Sequence, residues 1–302
     1  MRALAITVAF VASFAAPLAG GARAQTPTQD AADVADQAES KAFPVSAKLD
    51  LQYRMLAVVD EDPANDQYLF WLGTLAGKVF PGGTLVLQMG FTERFVAQPD
   101  ESGVLLRDTV VALRYATPIE LGGGLKLSMT HELGFFLPTS RASRNQDLYV
   151  APRYRLLADV EVIKGLDVSF IPEFRYRFHG YAERAGYGAG QNVQLDGGAR
   201  LGLDYTPLDS KTYGNAGVGA SAATYVARHY AARDDYSADT SDQAPWFQSY
   251  DWEAHVFYQP VRYATVSVSV EHGGNVLRDG IVNTFFAHRD ETELVFTLTG
   301  QY

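Results

Sequence analysis

Residues 166–178 read Leu-Asp-Val-Ser-Phe-Ile-Pro-Glu-Phe-Arg-Tyr-Arg-Phe, and their side chains sort into two sets by parity. Leu166, Val168, Phe170, Pro172, Phe174, Tyr176 and Phe178 point one way, while Asp167, Ser169, Ile171, Glu173, Arg175 and Arg177 point the other. A period of two gives a strand one apolar and one polar face, whereas a helix would scatter the same residues around its axis. The pattern recurs. Near the end of the chain Leu294, Phe296, Leu298, Gly300 and Tyr302 oppose Glu293, Val295, Thr297, Thr299 and Gln301. In between, Ala264, Val266, Val268 and Val270 oppose Thr265, Ser267, Ser269 and Glu271.

Working outward, the alternation predicts twelve strands at 46–56, 68–79, 84–95, 104–115, 125–135, 147–160, 166–178, 192–205, 212–226, 247–258, 263–272 and 289–302. Each is long enough to cross a thin hydrocarbon layer at a tilt, which takes about 9–11 residues. Short connections (81–83, 117–124, 163–165, 206–211, 259–262) alternate with mostly longer, more polar ones (57–67, 96–103, 136–146, 179–191, 227–246, 273–288). That rhythm is the one expected of an antiparallel up-and-down barrel with short periplasmic turns, long external loops and both termini inside. One register can be tested in advance. With Gly165 as the left-handed residue of a three-residue loop at Ile163-Lys164-Gly165, Val162 pairs with Leu166. Tyr154 then opposes Phe174, Ala158 opposes Phe170, Arg155 opposes Glu173 and Arg153 opposes Arg175.

Alternation alone does not say which face points outward. Twelve strands enclose more room than side chains can fill, so an apolar interior would leave a costly void. The polar face carries Lys48, Asp50, Arg54, Arg94, Asp108, Arg114, Glu132, Arg155, Glu173, Arg177, Asp196, Arg200, Asp204, Asp251 and Glu253, which can compensate one another across a wet interior. Aromatics gather at strand ends (Tyr53, Tyr68, Trp71, Phe91, Tyr115, Phe135, Tyr149, Phe178, Tyr205, Tyr225, Tyr250, Trp252, Tyr258, Tyr263), as interface girdles require. The apolar face is therefore expected to meet lipid.

The ending Leu294-Val-Phe-Thr-Leu-Thr-Gly-Gln-Tyr302 resembles the C-terminal insertion signal of Gram-negative outer-membrane β-barrel proteins, with Tyr in place of the commoner Phe. The resemblance covers one strand. It implies recognition of Leu294–Tyr302 by the barrel-assembly machinery and residence among outer-membrane lipid and lipopolysaccharide.

The beginning of the chain agrees. Arg2 precedes an apolar run from Ala3 to Pro17, and Ala22-Arg23-Ala24 places small residues before a cleavage point, so residues 1–24 read as a signal peptide. No Cys is present to carry a lipid or form a disulfide. Removing 24 of 302 residues leaves 278, and the loss of two arginines moves the formal charge from −10 to −12. Such an acidic balance argues against nucleic acid as a partner. Residues 25–45, rich in Ala, Asp and Gln, read as a flexible periplasmic leader, and 46–302 as the barrel.

Chemistry-bearing motifs are scarce. His131-Glu132 lacks the second His of a zinc-protease helix, and Gly219-Ala-Ser221 lacks the closing Gly of a nucleophile elbow. A lipid-cleaving barrel would need a Ser–His pair on its outer wall, but Ser128 and His131 fall on opposite faces. Acidic groups at Asp60-Glu61-Asp62 with Asp66, at Asp100-Glu101, and at Asp234-Asp235 with Asp239 and Asp242 lack the spacing of a calcium loop and read as solvated loops. No catalytic residue, metal site or cofactor is expected.

What remains is the interior. Arg153, Arg155, Arg175 and Arg177 share the inner face of two neighbouring strands, with Glu173 neutralising part of their charge. Together with Arg114, Glu132, Asp196 and Arg200 they are the expected pore-lining residues. They either attract anionic solutes or pair with acids across a largely filled lumen. The leading expectation is a narrow passive channel or transporter for small solutes. The alternatives are a closed structural barrel whose external loops bind a partner, and, more remotely, a lipid-modifying barrel.

Overall fold

The computed structural model describes residues 45–56, 67–95, 104–121, 125–181, 192–210, 213–230, 246–275, 277–278, 281–282 and 292–302. The segments read as signal peptide and leader (up to residue 44), and all three acidic loop groups, lie outside the described residues.

Twelve long strands follow one another: β1 (Val45–Leu56), β2 (Gln67–Phe80), β3 (Gly83–Arg94), β4 (Thr109–Ala116), β5 (Lys126–Leu137) and β6 (Leu148–Ile163). The remainder are β7 (Leu166–Tyr176), β8 (Val193–Ser210), β9 (Gly214–His229), β10 (Trp246–Val261), β11 (Ala264–Asn275) and β12 (Thr292–Gln301). Each pairs antiparallel with its neighbours in sequence, and β12 pairs with β1 as well as β11, so the sheet has no free edge. The last residue takes part in the closure: Ala47 and Tyr302 exchange backbone hydrogen bonds of 2.9 and 2.7 Å. This is a closed, twelve-stranded, antiparallel up-and-down barrel.

The register between β6 and β7 is the expected one through Arg153–Arg175, Tyr154–Phe174, Arg155–Glu173 and Ala158–Phe170. The turn differs in detail. Ile163, not Val162, pairs with Leu166, and the extra residue is absorbed as an irregularity between Glu161 and Ile163. Gly165 has φ of 79°, and the turn glycines Gly82 and Gly214 share that left-handed conformation, which only glycine adopts freely. Similar shifts occur near the turn ends of β2–β3, β8–β9 and β10–β11. In β8 the shift between Tyr205 and Leu208 accommodates Pro207, which has no N–H for the ladder, and lets the strand continue to Ser210 instead of ending at Tyr205.

The expected fourth strand, 104–115, is broken. Val104–Leu106 pairs with β3, and the main strand resumes only at Thr109. The interruption serves the β5–β6 connection. Asp108 accepts hydrogen bonds from Ser140 N (3.0 Å) and from the Ser143 hydroxyl, and Thr139 Oγ1 donates to Arg107 O at 2.9 Å. A single-turn helix, α1 (Arg141–Asn145), starts there with Ser140 as its N-cap, whose hydroxyl accepts from Ser143 N at 3.0 Å.

The two faces separate by chemistry. On β7, Phe170 and Phe174 are 47% and 50% exposed on the outer wall, whereas Ser169 and Ile171, on either side of Phe170, are 3% and 7% exposed inside. Leu85, Met89, Leu113, Leu201 and Val256 extend the apolar outer wall around the barrel. The interior is mixed rather than uniformly polar. Ala76, Val86, Val110 and Ala112, with Phe136, make an apolar strip under one wall, and Leu157 packs on Ile171. Two expected girdle aromatics turn inward instead. The Tyr68 hydroxyl donates to Glu293 at 3.3 Å, and Tyr225 lines the interior cavity.

Candidate functional site in the barrel interior

Glu132 on β5 sits directly opposite Arg114 on β4 and Arg155 on β6. Its carboxylate accepts from Arg114 at 2.7 Å, Arg153 at 2.7 Å and Arg155 at 3.0 Å, and its side chain is 1% exposed. The carboxylate therefore lies behind three guanidinium groups, holding together charges that would otherwise repel. One step further round, Asp196 on β8 opposes Arg175 in register and accepts from Arg175 at 3.0 Å and from Arg177 at 2.5 Å. Arg153 and Arg175 face each other across β6 and β7, an unfavourable like-charge pair. Both lie over the Phe136 ring, 4.8 and 5.0 Å from its centroid, which returns part of that cost as cation–π attraction.

The far side of the barrel has the opposite character. Glu253, Glu271 and Glu293 on β10, β11 and β12 stand directly side by side in the ladder. Arg54 reaches across β12 from β1, bonding Glu271 at 2.5 Å and Glu293 at 2.8 Å. At the other margin Arg200 on β8 reaches across β9 to Asp251 at 2.5 Å and donates to Ser221 Oγ at 2.7 Å on the way. That reach is possible because β9 presents only Gly219, Ser221 and Ala223 there. His255 lies between Asp204 (3.1 Å) and Glu253 (3.3 Å).

These walls enclose a cavity of about 420 Å³ to which every barrel strand except β5 contributes. A second cavity of about 340 Å³ lies toward the long-connection end, and Arg54, Arg200, Glu253 and Glu271 border both. Of the residues expected to line a pore, Arg114, Arg153, Arg155, Glu173 and Arg200 face the larger cavity. Glu132, Arg175, Arg177 and Asp196 are on the same inner wall, tied into its ion pairs. The sequence reading left Arg54, Glu271, Glu293 and His255 out of the site. Their inward parity was visible, but their grouping depends on contacts that skip a strand.

Ser128 and His131 are kept apart by the sheet. Ser128 is on the inner wall opposite Asp159, while His131 is on the outer wall with its Nδ1 2.8 Å from the Tyr154 hydroxyl. Among the described residues, no group of three or more His, Asp or Glu side chains is placed to hold a metal ion.

A closed barrel of this strand number, apolar outside and charged inside, has the fold of outer-membrane β-barrel proteins. A solved structure supports this reading of the fold. An outer membrane channel from Pseudomonas putida F1 superposes with a TM-score of 0.51 over 88% of this chain and 99% of the other, at 10% identity. The KdgM porin (TM-score 0.42, 9% identity, 84% and 99% covered) and LpxR from Salmonella typhimurium (0.37, 13%, 84% and 99%) also align. Identities this low speak for the fold alone. No protein-family model matches the chain, and no curated protein matches its sequence.

Proposed function

We propose that the protein is a passive outer-membrane channel for small solutes, with charge preference set by the interior arginines and carboxylates. The observation that carries this reading is the charged interior cavity, enclosed by a closed barrel whose outer wall is apolar. A bilayer stabilises such a wall, and its hydrocarbon excludes unpaired backbone, which the closed ladder avoids. In this reading residues 1–24 direct export and the segment from 25 up to the start of β1 at Val45 forms a periplasmic leader. Leu294–Tyr302 is the segment read by the barrel-assembly machinery, and lipid and lipopolysaccharide surround the finished barrel. Neither a cofactor nor catalysis is part of the proposal.

The test is planar-bilayer conductance of the purified protein. Reproducible single-channel steps are expected, with a reversal potential that moves toward cation preference in Arg153→Ala/Arg175→Ala. Electrical silence would favour the closed barrel with partner-binding loops, a reading to which the anchored α1 segment lends some support. Hydrolysis of phospholipid or lipid A by the purified protein would favour the lipid-modifying reading.

A further inference from the structure

The interior charges are segregated, and the segregation runs across the lumen. Adjacent strands ordinarily avoid like charges opposite one another, because each such pair is destabilising. Here Arg153 faces Arg175 across β6 and β7, while Glu253, Glu271 and Glu293 form an unbroken row across β10, β11 and β12. In a ring of twelve strands β4, β5 and β6 lie opposite β10, β11 and β12. Arg114, Arg153 and Arg155 from the first group and Glu253 and Glu271 from the second line the same cavity. Glu132, which could cancel the arginine field, is buried beneath the guanidinium groups and does not face that space. The stretches between the two walls carry charges of both signs that are paired close by: Lys48 with Asp50, Arg54 with Glu271, Arg200 with Asp251 and Asp204 with His255, and Glu173 stands opposite Arg155. Leu72 and Gln88 on one side and Ala220 and Ser221 on the other offer neutral surface.

Low-dielectric walls carrying opposite charge focus a field across the space between them. A purely anionic solute is drawn to one wall and repelled by the other, and a cation meets the reverse. A solute with separated negative and positive ends satisfies both walls when it lies crosswise, with its neutral body against Leu72, Gln88 or Ser221. We infer that the cavity is a transit site for small dipolar solutes, their anionic group toward Arg114, Arg153 and Arg155 and their ammonium group toward Glu253 and Glu271. This inference rests on the channel reading above.

Uptake into proteoliposomes tests it with four solutes of similar size: taurine (zwitterion), isethionate (its hydroxyl analogue, an anion), choline (a cation) and erythritol (uncharged). The wild-type protein is expected to admit taurine several-fold faster than isethionate or choline. Glu253→Gln/Glu271→Gln removes the two glutamates of the acidic wall that line this cavity, so the taurine advantage should vanish and isethionate should enter at least as fast. Where the double variant fails to insert, Glu253→Gln alone, whose carboxylate contacts His255, should reduce the advantage in the same direction. Wild-type rates that follow size alone, or a taurine advantage that survives loss of the glutamates, would overturn the dipolar site and leave the channel standing. Entry of all four solutes at the protein-free rate would overturn the channel reading and this inference with it.

Discussion

The two walls of the interior solve the same electrostatic problem by different routes. On β4–β8 arginines gather on shared acids, and two acids are hubs: Glu132 takes three arginines and Asp196 takes two. On β10–β12 the acids stand together, and the compensating arginines come from outside the row, each spanning an intervening strand. The first wall is dry at its centre, with the Glu132 side chain 1% exposed. The second stays wetter, with Glu271 and Glu293 at 25% and 26%. A hub of this kind is a structural commitment, because removing the acid strands several buried cations together. A wet row keeps part of its charge available to a solute.

The largest expected effect of breaking that difference therefore lies at Glu132. Glu132→Ala leaves Arg114, Arg153 and Arg155 crowded without their shared counter-ion. Breaking a buried pair typically costs about 3–5 kcal/mol, and here the partly hydrated cavity favours the lower end. Unfolding of the detergent-solubilised barrel in urea should show this loss, while Glu253→Ala, removed in the wetter row, should cost clearly less. Equal losses at the two positions would erase the distinction between the walls.

The contrast also explains what could be read in advance. The barrel, its strand number and the β6–β7 register follow from local rules: a two-residue period, a turn glycine and the alternation of short and long connections. The inner-wall positions of Arg153, Arg155, Arg175 and Arg177 follow from parity, and their pairing with Glu132 and Asp196 needs only neighbouring strands. Arg54 with Glu271 and Glu293 was harder, since 217 and 239 residues separate the partners and the contact exists only once β12 closes on β1. Tyr68 and Tyr225 misled for a related reason. An aromatic near a strand end fits a girdle, and only its parity against the neighbouring strand reveals that it points inward. The break at Arg107–Asp108 had no local signal either, because it is made by Thr139, Ser140 and Ser143 from another connection.

A middle-sized effect should come from Arg54, which holds two of the three aligned glutamates. Arg54→Ala leaves Glu271 and Glu293 side by side without their bridging cation, but its side chain is 22% exposed and water can solvate what it leaves. The stability cost should accordingly be about 1 kcal/mol, as for a partly exposed pair. The clearer readout is electrical. Single-channel conductance in the variant should rise, because the border between the two cavities loses a bulky side chain, and the reversal potential should move toward cation preference. A conductance that falls would place the limiting border elsewhere.

The smallest effect sharpens the comparison through β9 rather than through a charge. Arg200 reaches Asp251 only over Ser221, which accepts its hydrogen bond, so Ser221→Leu should part the two ends without altering any formal charge. Little stability should be lost, because each ion can turn to the water of the cavity, and surface-like pairs contribute about 0–1 kcal/mol. Selectivity should nonetheless shift slightly toward cations, since Asp251 then adds a charge without its arginine beside the glutamate row while Arg200 is held back from it. The same shift should fade as salt rises from 0.1 to 1 M, where the screening length falls from about 10 to about 3 Å. The Glu132 hub should keep its stabilising role over that range, because ions do not reach a carboxylate covered by three guanidinium groups. A salt response of equal size at both walls would mean that Glu132 is wet, and that the two walls differ in arrangement but not in hydration.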